Sequence, residues 1–66
     1  MKYITKLKLA AVHQLCDEED KSTEYMIQYM QDTCKVDYNA VMNYLMLPEP
    51  VKATLRKDIN EIVQNV

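Results

Sequence analysis

Residues 22–46, STEYMIQYMQDTC-KV-DYNAVMNYLM, hold two short amphipathic runs separated by two residues, and this stretch decides the fold. Ser22 suits a helix N-cap, because its hydroxyl can accept a hydrogen bond from a free amide of the first turn. Tyr25, Met26, Tyr29, Met30, Thr33 and Cys34 then recur at helical spacing, which predicts a helix from about Thr23 to Cys34. Only Gln28, Gln31 and Asp32 are clearly solvent-facing, and so narrow a polar strip predicts a helix at the centre of a bundle. Lys35 and Val36 make a tight connection. Asp37 caps a third helix, Tyr38 to Met46, with Tyr38, Val41, Met42 and Leu45 pointing inward and Asn39, Ala40 and Asn43 outward.

Working outward, a first helix is predicted from about Lys2 to Cys16. Ile4, Leu7, Ala11 and Leu15 form one apolar stripe; Leu9, Val12 and Cys16 form an adjoining one. Lys8 projects into this wide arc. Either its stem lies along apolar surface, or the two stripes face different neighbours, one of which can be another subunit. Asp17, Glu18, Glu19 and Asp20 end the helix, since carboxylates are unfavourable at the negative end of its dipole. Asp17 is a competing cap for the second helix, and Ser22 is preferred.

On the other side, Leu47-Pro48-Glu49-Pro50 stops the third helix, because a residue before proline avoids the helical region. Pro50 suits the first turn of a fourth helix. Val51, Leu55, Ile59, Ile62, Val63 and Val66 give the cleanest amphipathic pattern in the chain.

Composition agrees with helix throughout. The 66 residues include no glycine and only two prolines, whereas sheets with tight hairpins draw on Gly or Asn-Gly turns. The expected fold class is therefore all-α: a compact bundle of three to four short helices with a helix-turn-helix corner, in a single helical domain spanning residues 1–66. A chain this short buries only about 60% of the surface that its unfolded form exposes, so helix packing and self-association must carry its stability.

The net charge is −2, unevenly spread. Four of the ten acidic residues lie in the block Asp17–Asp20, leaving six against eight basic residues elsewhere. The low isoelectric point argues weakly against a general nucleic-acid binder. Cys16 and Cys34 both lie on apolar stripes and read as reduced core residues; a bridge between them stays open, as does a redox-responsive role. No signal peptide is visible and no apolar run nears the ~20 residues needed to span a bilayer, so a cytoplasmic protein without membrane contact is expected.

The chain is expected not to be an enzyme. His13 is the only histidine and Ser22 the only serine, and Ser22 already caps a helix. A Cys-His pair of His13 and Cys16 sits at i,i+3, but His13 falls beside Lys2 and Lys6 on the polar side of its helix and is read as exposed. The metal candidate is His13, Cys16 and Cys34 with a carboxylate such as Asp17. Structural zinc sites show paired ligands at each end, and only an H-x2-C half exists here. Without glycine there is no Gly-rich phosphate loop. No cofactor and no metal are expected.

Residues 22–46 resemble the general helix-turn-helix pattern. Met30 and Cys34 would pack the first helix onto Val36, Val41 and Leu45 of the second. The resemblance covers about a third of the chain and departs from the motif at Lys35, where glycine is favoured, and in the first helix, where the usual small residue is absent. It implies a DNA-binding regulator as the alternative function. Asn39 and Asn43 would then face the major groove, where Asn can pair with adenine, while Lys35, Lys52, Arg56 and Lys57 contact phosphates.

The leading expectation is a small non-enzymatic regulatory or inhibitory protein that binds a larger protein directly. Chains of this kind are common in phages and mobile elements, an expectation from size alone. All five aromatic residues are tyrosines, which offer apolar area with a polar tip, and five methionines add adaptable surface. Tyr25, Tyr29 and Tyr44, flanked by Asp17, Glu18, Glu19 and Asp20, form the expected partner-binding surface. A homodimer through the first or fourth helix is a further expectation.

Overall fold

The fold is built on its first helix, which the other three surround. The structure, a computed structural model, describes residues 1–65; Val66, the last residue of the predicted apolar stripe, lies outside the described residues. The order is α1 (Tyr3–Glu18), α2 (Thr23–Cys34), α3 (Tyr38–Leu45) and α4 (Glu49–Gln64), an all-α bundle with no strand among the described residues. Helix α2 packs on α1 and α3, α3 also touches α1, and α4 lies against α1.

The caps follow the sequence. Ser22 Oγ accepts from the Tyr25 amide at 3.1 Å, and Asp37 Oδ1 accepts from the Ala40 amide at 2.9 Å. Pro48 precedes α4 and Pro50 stands in its first turn, where a missing amide costs nothing. Helix α1 runs two residues further than expected, into the acidic block. Gln14 donates to Glu18 at 3.3 Å and His13 lies 3.6 Å from Asp17, and these i,i+4 contacts offset the unfavourable dipole.

Two corners use the left-handed region. Asp20 (φ 56°) closes α1, with the Lys21 amide reaching the Cys16 carbonyl. Lys35 (φ 58°, ψ 45°) closes α2, with the Val36 amide reaching the Gln31 carbonyl. Both are helix-ending turns of the type that usually takes glycine at the left-handed position.

Ten apolar residues make the buried core: Leu7, Leu9, Ala10, Val12 and Cys16 of α1, Met26 and Met30 of α2, Val41 and Tyr44 of α3, and Leu55 of α4. Leu9, Met30 and Val41 are fully enclosed, each contributing roughly 1.5–3 kcal/mol. Half of the core comes from α1, so α1, not α2, is the central helix. The tyrosines explain the difference: Tyr25 is exposed and Tyr29 half-buried, which moves α2 to the periphery. In α3 Val41 is buried and Met42 and Leu45 pack on the core as predicted, but Tyr44 replaces Tyr38 on the buried face. Tyr38 is exposed, whereas Tyr44 is fully buried, because its hydroxyl finds a partner inside the bundle. In α4 only Leu55 of the predicted stripe is fully buried. Ile59 is half-buried and Val51, Ile62 and Val63 are exposed, since α4 packs chiefly on α1.

Candidate protein-binding surfaces

The first surface is the α1–α2 corner. Asp17, Glu18, Glu19 and Asp20 are all exposed, and Glu18, Glu19 and Asp20 make no ion pair among the described residues. Immediately beyond them, Tyr25 and Tyr29 stand one turn apart with ring centroids 5.9 Å from each other. Lys21 Nζ sits 5.1 Å over the Tyr25 ring, a cation–π contact that holds this ring at the surface. The acidic residues close α1 and Tyr25 opens the exposed face of α2, so both flank the α1–α2 connection. Tyr44 does not belong there: it is enclosed in the core, and the partner-binding role expected for it is corrected accordingly.

Tyr44 instead joins a polar cluster at the meeting of α1, α3 and α4. His13 Nδ1 lies 3.0 Å from the Tyr44 hydroxyl and 3.0 Å from Arg56 Nη2. Arginine can only donate, and Arg56 Nη2 lies closer to Nδ1 than to Nε2, which is 3.4 Å away; Nε2 also lies 3.6 Å from Asp17. Arg56 Nη2 is also 3.9 Å from Asp17. Burial holds the His13 pKa below its usual value, and Arg56 adds to this; Asp17 opposes it and loses. Burial likewise raises the Tyr44 phenol. His13 is therefore not the exposed residue expected, with a side chain only 13% accessible. Local sequence carries just the His13–Asp17 spacing of this cluster; Tyr44 and Arg56 come from 31 and 43 residues away.

The helix-turn-helix residues are split. Asn39 and Asn43 are exposed on α3, as are Lys35 and Lys57. Lys52 is not available to phosphate: it is 7% exposed. Its ammonium donates to the Leu45 carbonyl at 3.0 Å and pairs with Glu49 at 3.0 Å. Lys52 therefore caps the end of α3, favourable for a cation at the negative end of a helix dipole. Arg56 is half-buried and committed to His13 and Asp17. The phosphate-contacting roles expected for Lys52 and Arg56 are corrected accordingly.

A second surface was not read as a site. Between the C-terminal halves of α1 and α4 runs a groove of about 380 Å³. Ala11, Gln14, Leu15 and Glu18 form one wall and Ile59, Asn60 and Val63 the other. A Gln14–Asn60 hydrogen bond at 3.3 Å crosses it, while Tyr3 donates to Asp58 at 2.6 Å at the other end of α1.

Both thiols are free. Cys16 is buried and Cys34 half-buried, and loss of solvation raises both pKa values, with Lys8 partly countering this at Cys34. Protonated thiols are poor nucleophiles and poor ligands. No three His, Cys, Asp or Glu side chains gather into a metal-holding group among the described residues, and no described helix is long and apolar enough to cross a membrane.

Fold and surfaces define the chain as a small four-helix protein with an aromatic–acidic corner and an open apolar groove. No known family model, curated protein or solved structure matches it.

Proposed function

We propose that this protein is a small non-enzymatic regulator or inhibitor that acts by binding a larger protein through its α1–α2 corner. The observation that carries this reading is the Tyr25–Tyr29 pair, exposed Tyr25 leaning on half-buried Tyr29, a few residues beyond the acidic block Asp17–Asp20. Exposed tyrosines are typical of recognition surfaces, where a rigid ring gives contact area at little entropic cost. The carboxylates of Glu18, Glu19 and Asp20, which make no ion pair among the described residues, favour a partner patch rich in lysine or arginine and speed its encounter. The mechanism is steric: the corner covers a basic, partly apolar site on the target. Free thiols in Cys16 and Cys34 suit a reducing compartment, and the proposed location is the cytoplasm. A phage or mobile-element source remains a proposal from size.

Replacing Tyr25 by a photo-crosslinking phenylalanine analogue in the source cell tests this. A discrete protein adduct at position 25, absent when the same probe replaces Lys57, is expected. Probes at positions 25 and 29 that yield no adduct would sink the reading.

One observation favours the DNA-binding alternative. Lys35 adopts the left-handed turn that the helix-turn-helix motif uses between its helices, and Asn39 and Asn43 are exposed on the following helix. Against it, the outward face of α3 carries no cation, and two of the four expected phosphate contacts are engaged inside the fold. Fluorescence anisotropy with mixed duplex DNA at two salt concentrations decides it: affinity that falls steeply with salt supports DNA binding, and no binding at the lower salt eliminates it.

A further inference from the structure

We propose that a second copy of this chain docks on the exposed face of α1, antiparallel and related by a two-fold axis. Helix α1 is the central helix, yet one face of it is bare. Ile4, Lys8, Ala11, Leu15 and Glu18 are all exposed, with Leu15 at 43% and Ile4 at 55%. Their spacing alternates four, three, four, three, the a/d register of two helices that pack side by side.

The last four of these residues are self-complementary by size and charge when the order is reversed. In an antiparallel pair centred between Ala11 and Leu15, Lys8 meets Glu18 of the second copy and Ala11 meets Leu15 of the second copy. The axis then generates both contacts again. Each layer thus opposes small with large or cation with anion, which a two-fold interface requires of a single surface. Neither Lys8 nor Glu18 is in an ion pair within the chain among the described residues; Glu18 Oε1 accepts from Gln14 at 3.3 Å. The groove beside the stripe widens the seat. Ile59 and Val63 form its far wall, and Val63 is 66% exposed, so Leu15 of the second copy enters between the two helices. The proposed face is separate from Tyr25 and Tyr29; Glu18 is the residue it shares with the acidic corner, and association of the chain with itself is measured without the larger partner, so failure of one reading is distinguishable from failure of the other.

Sedimentation equilibrium of the full chain over a range of concentrations, with charge-swapped variants, tests it. Wild type is expected to dimerise. Lys8→Glu and Glu18→Lys, taken singly, place like charges together twice and weaken the dimer about tenfold. The double variant restores it, and an equimolar mixture of the two single variants forms the hybrid dimer in preference to either homodimer. Leu15→Asp is expected to weaken association about a hundredfold, with circular dichroism confirming that its helices persist. Because the charge variants lie at the surface, the test does not depend on that one substitution. A wild type that stays monomeric to millimolar concentration overturns the proposal, as does a dimer unaffected by Leu15→Asp and by both charge reversals. A monomer that instead binds a basic amphipathic peptide in the α1–α4 groove overturns it too.

Discussion

His13 and Tyr44 meet inside the bundle, Nδ1 to hydroxyl at 3.0 Å, with their rings edge to face at 89°. This contact joins α1 to α3, and through Arg56 it reaches α4. Tyr44→Phe keeps the ring and removes the hydroxyl. Its expected cost is about 1 kcal/mol, against about 3–5 kcal/mol for Tyr44→Ala, which also leaves a cavity. Urea denaturation of both variants checks this, and a Phe variant as stable as wild type would show that the hydroxyl contributes nothing.

The same cluster makes stability depend on pH. The folded-state pKa of His13 is below its unfolded value of about 6.5. Between those two values the unfolded chain binds more protons, so stability rises with pH. The contribution of neutral His13 is complete above about pH 6.5 and is lost as pH falls through the folded pKa. Asp17, Arg56, Lys52, Glu49 and Tyr44 face the ring, and only Asp17 and Glu49 favour its charged form. Urea midpoints at pH 7.5 and pH 5.5 are expected to differ for wild type and to converge in His13→Gln. Equal pH dependence in the two proteins would assign the effect elsewhere.

Lys52 holds two helices by one ammonium. It bonds the Leu45 carbonyl at the end of α3 and Glu49 in the first turn of α4, and Lys52 depresses the Glu49 pKa. Lys52→Met keeps most of the buried stem and leaves the carbonyl without this donor. The expected loss is about 2 kcal/mol. Thermal denaturation of the variant measures it, and an unchanged midpoint would mean that water replaces the ammonium without cost.

Lys35 sits in the left-handed region, which is unfavourable by about 1 kcal/mol or more for a residue with a Cβ. Lys35→Gly relieves this and is expected to raise stability by about 1 kcal/mol, less the entropy that glycine adds to the unfolded chain. Asp20→Gly should gain less, since aspartate visits this region more readily. A comparison of the two variants by denaturant titration ranks them; the reverse order would show that strain at Lys35 is absorbed elsewhere.

Local chemistry determined the elements of this protein. Ser22 and Asp37 marked two helix starts, Pro48 and Pro50 set the break before α4, and the absence of glycine and of hairpin turns left helix as the only regular structure. These features act over one or two turns, so neighbouring residues suffice to specify them. Which face of each helix is buried was decided by tertiary packing. Tyr38 and Tyr44 are alike in type and both lie on α3; only the arrival of His13 from α1 makes Tyr44 the one that can bury its hydroxyl satisfied. Lys52 reads as a surface cation until the Leu45 carbonyl stands above it. Ile4, Leu7, Ala11 and Leu15 read as one apolar stripe, yet the other helices cover Leu7 and leave Ile4, Ala11 and Leu15 bare. Periodicity reports that a face is apolar, whereas the partner that covers it comes from residues tens of positions away.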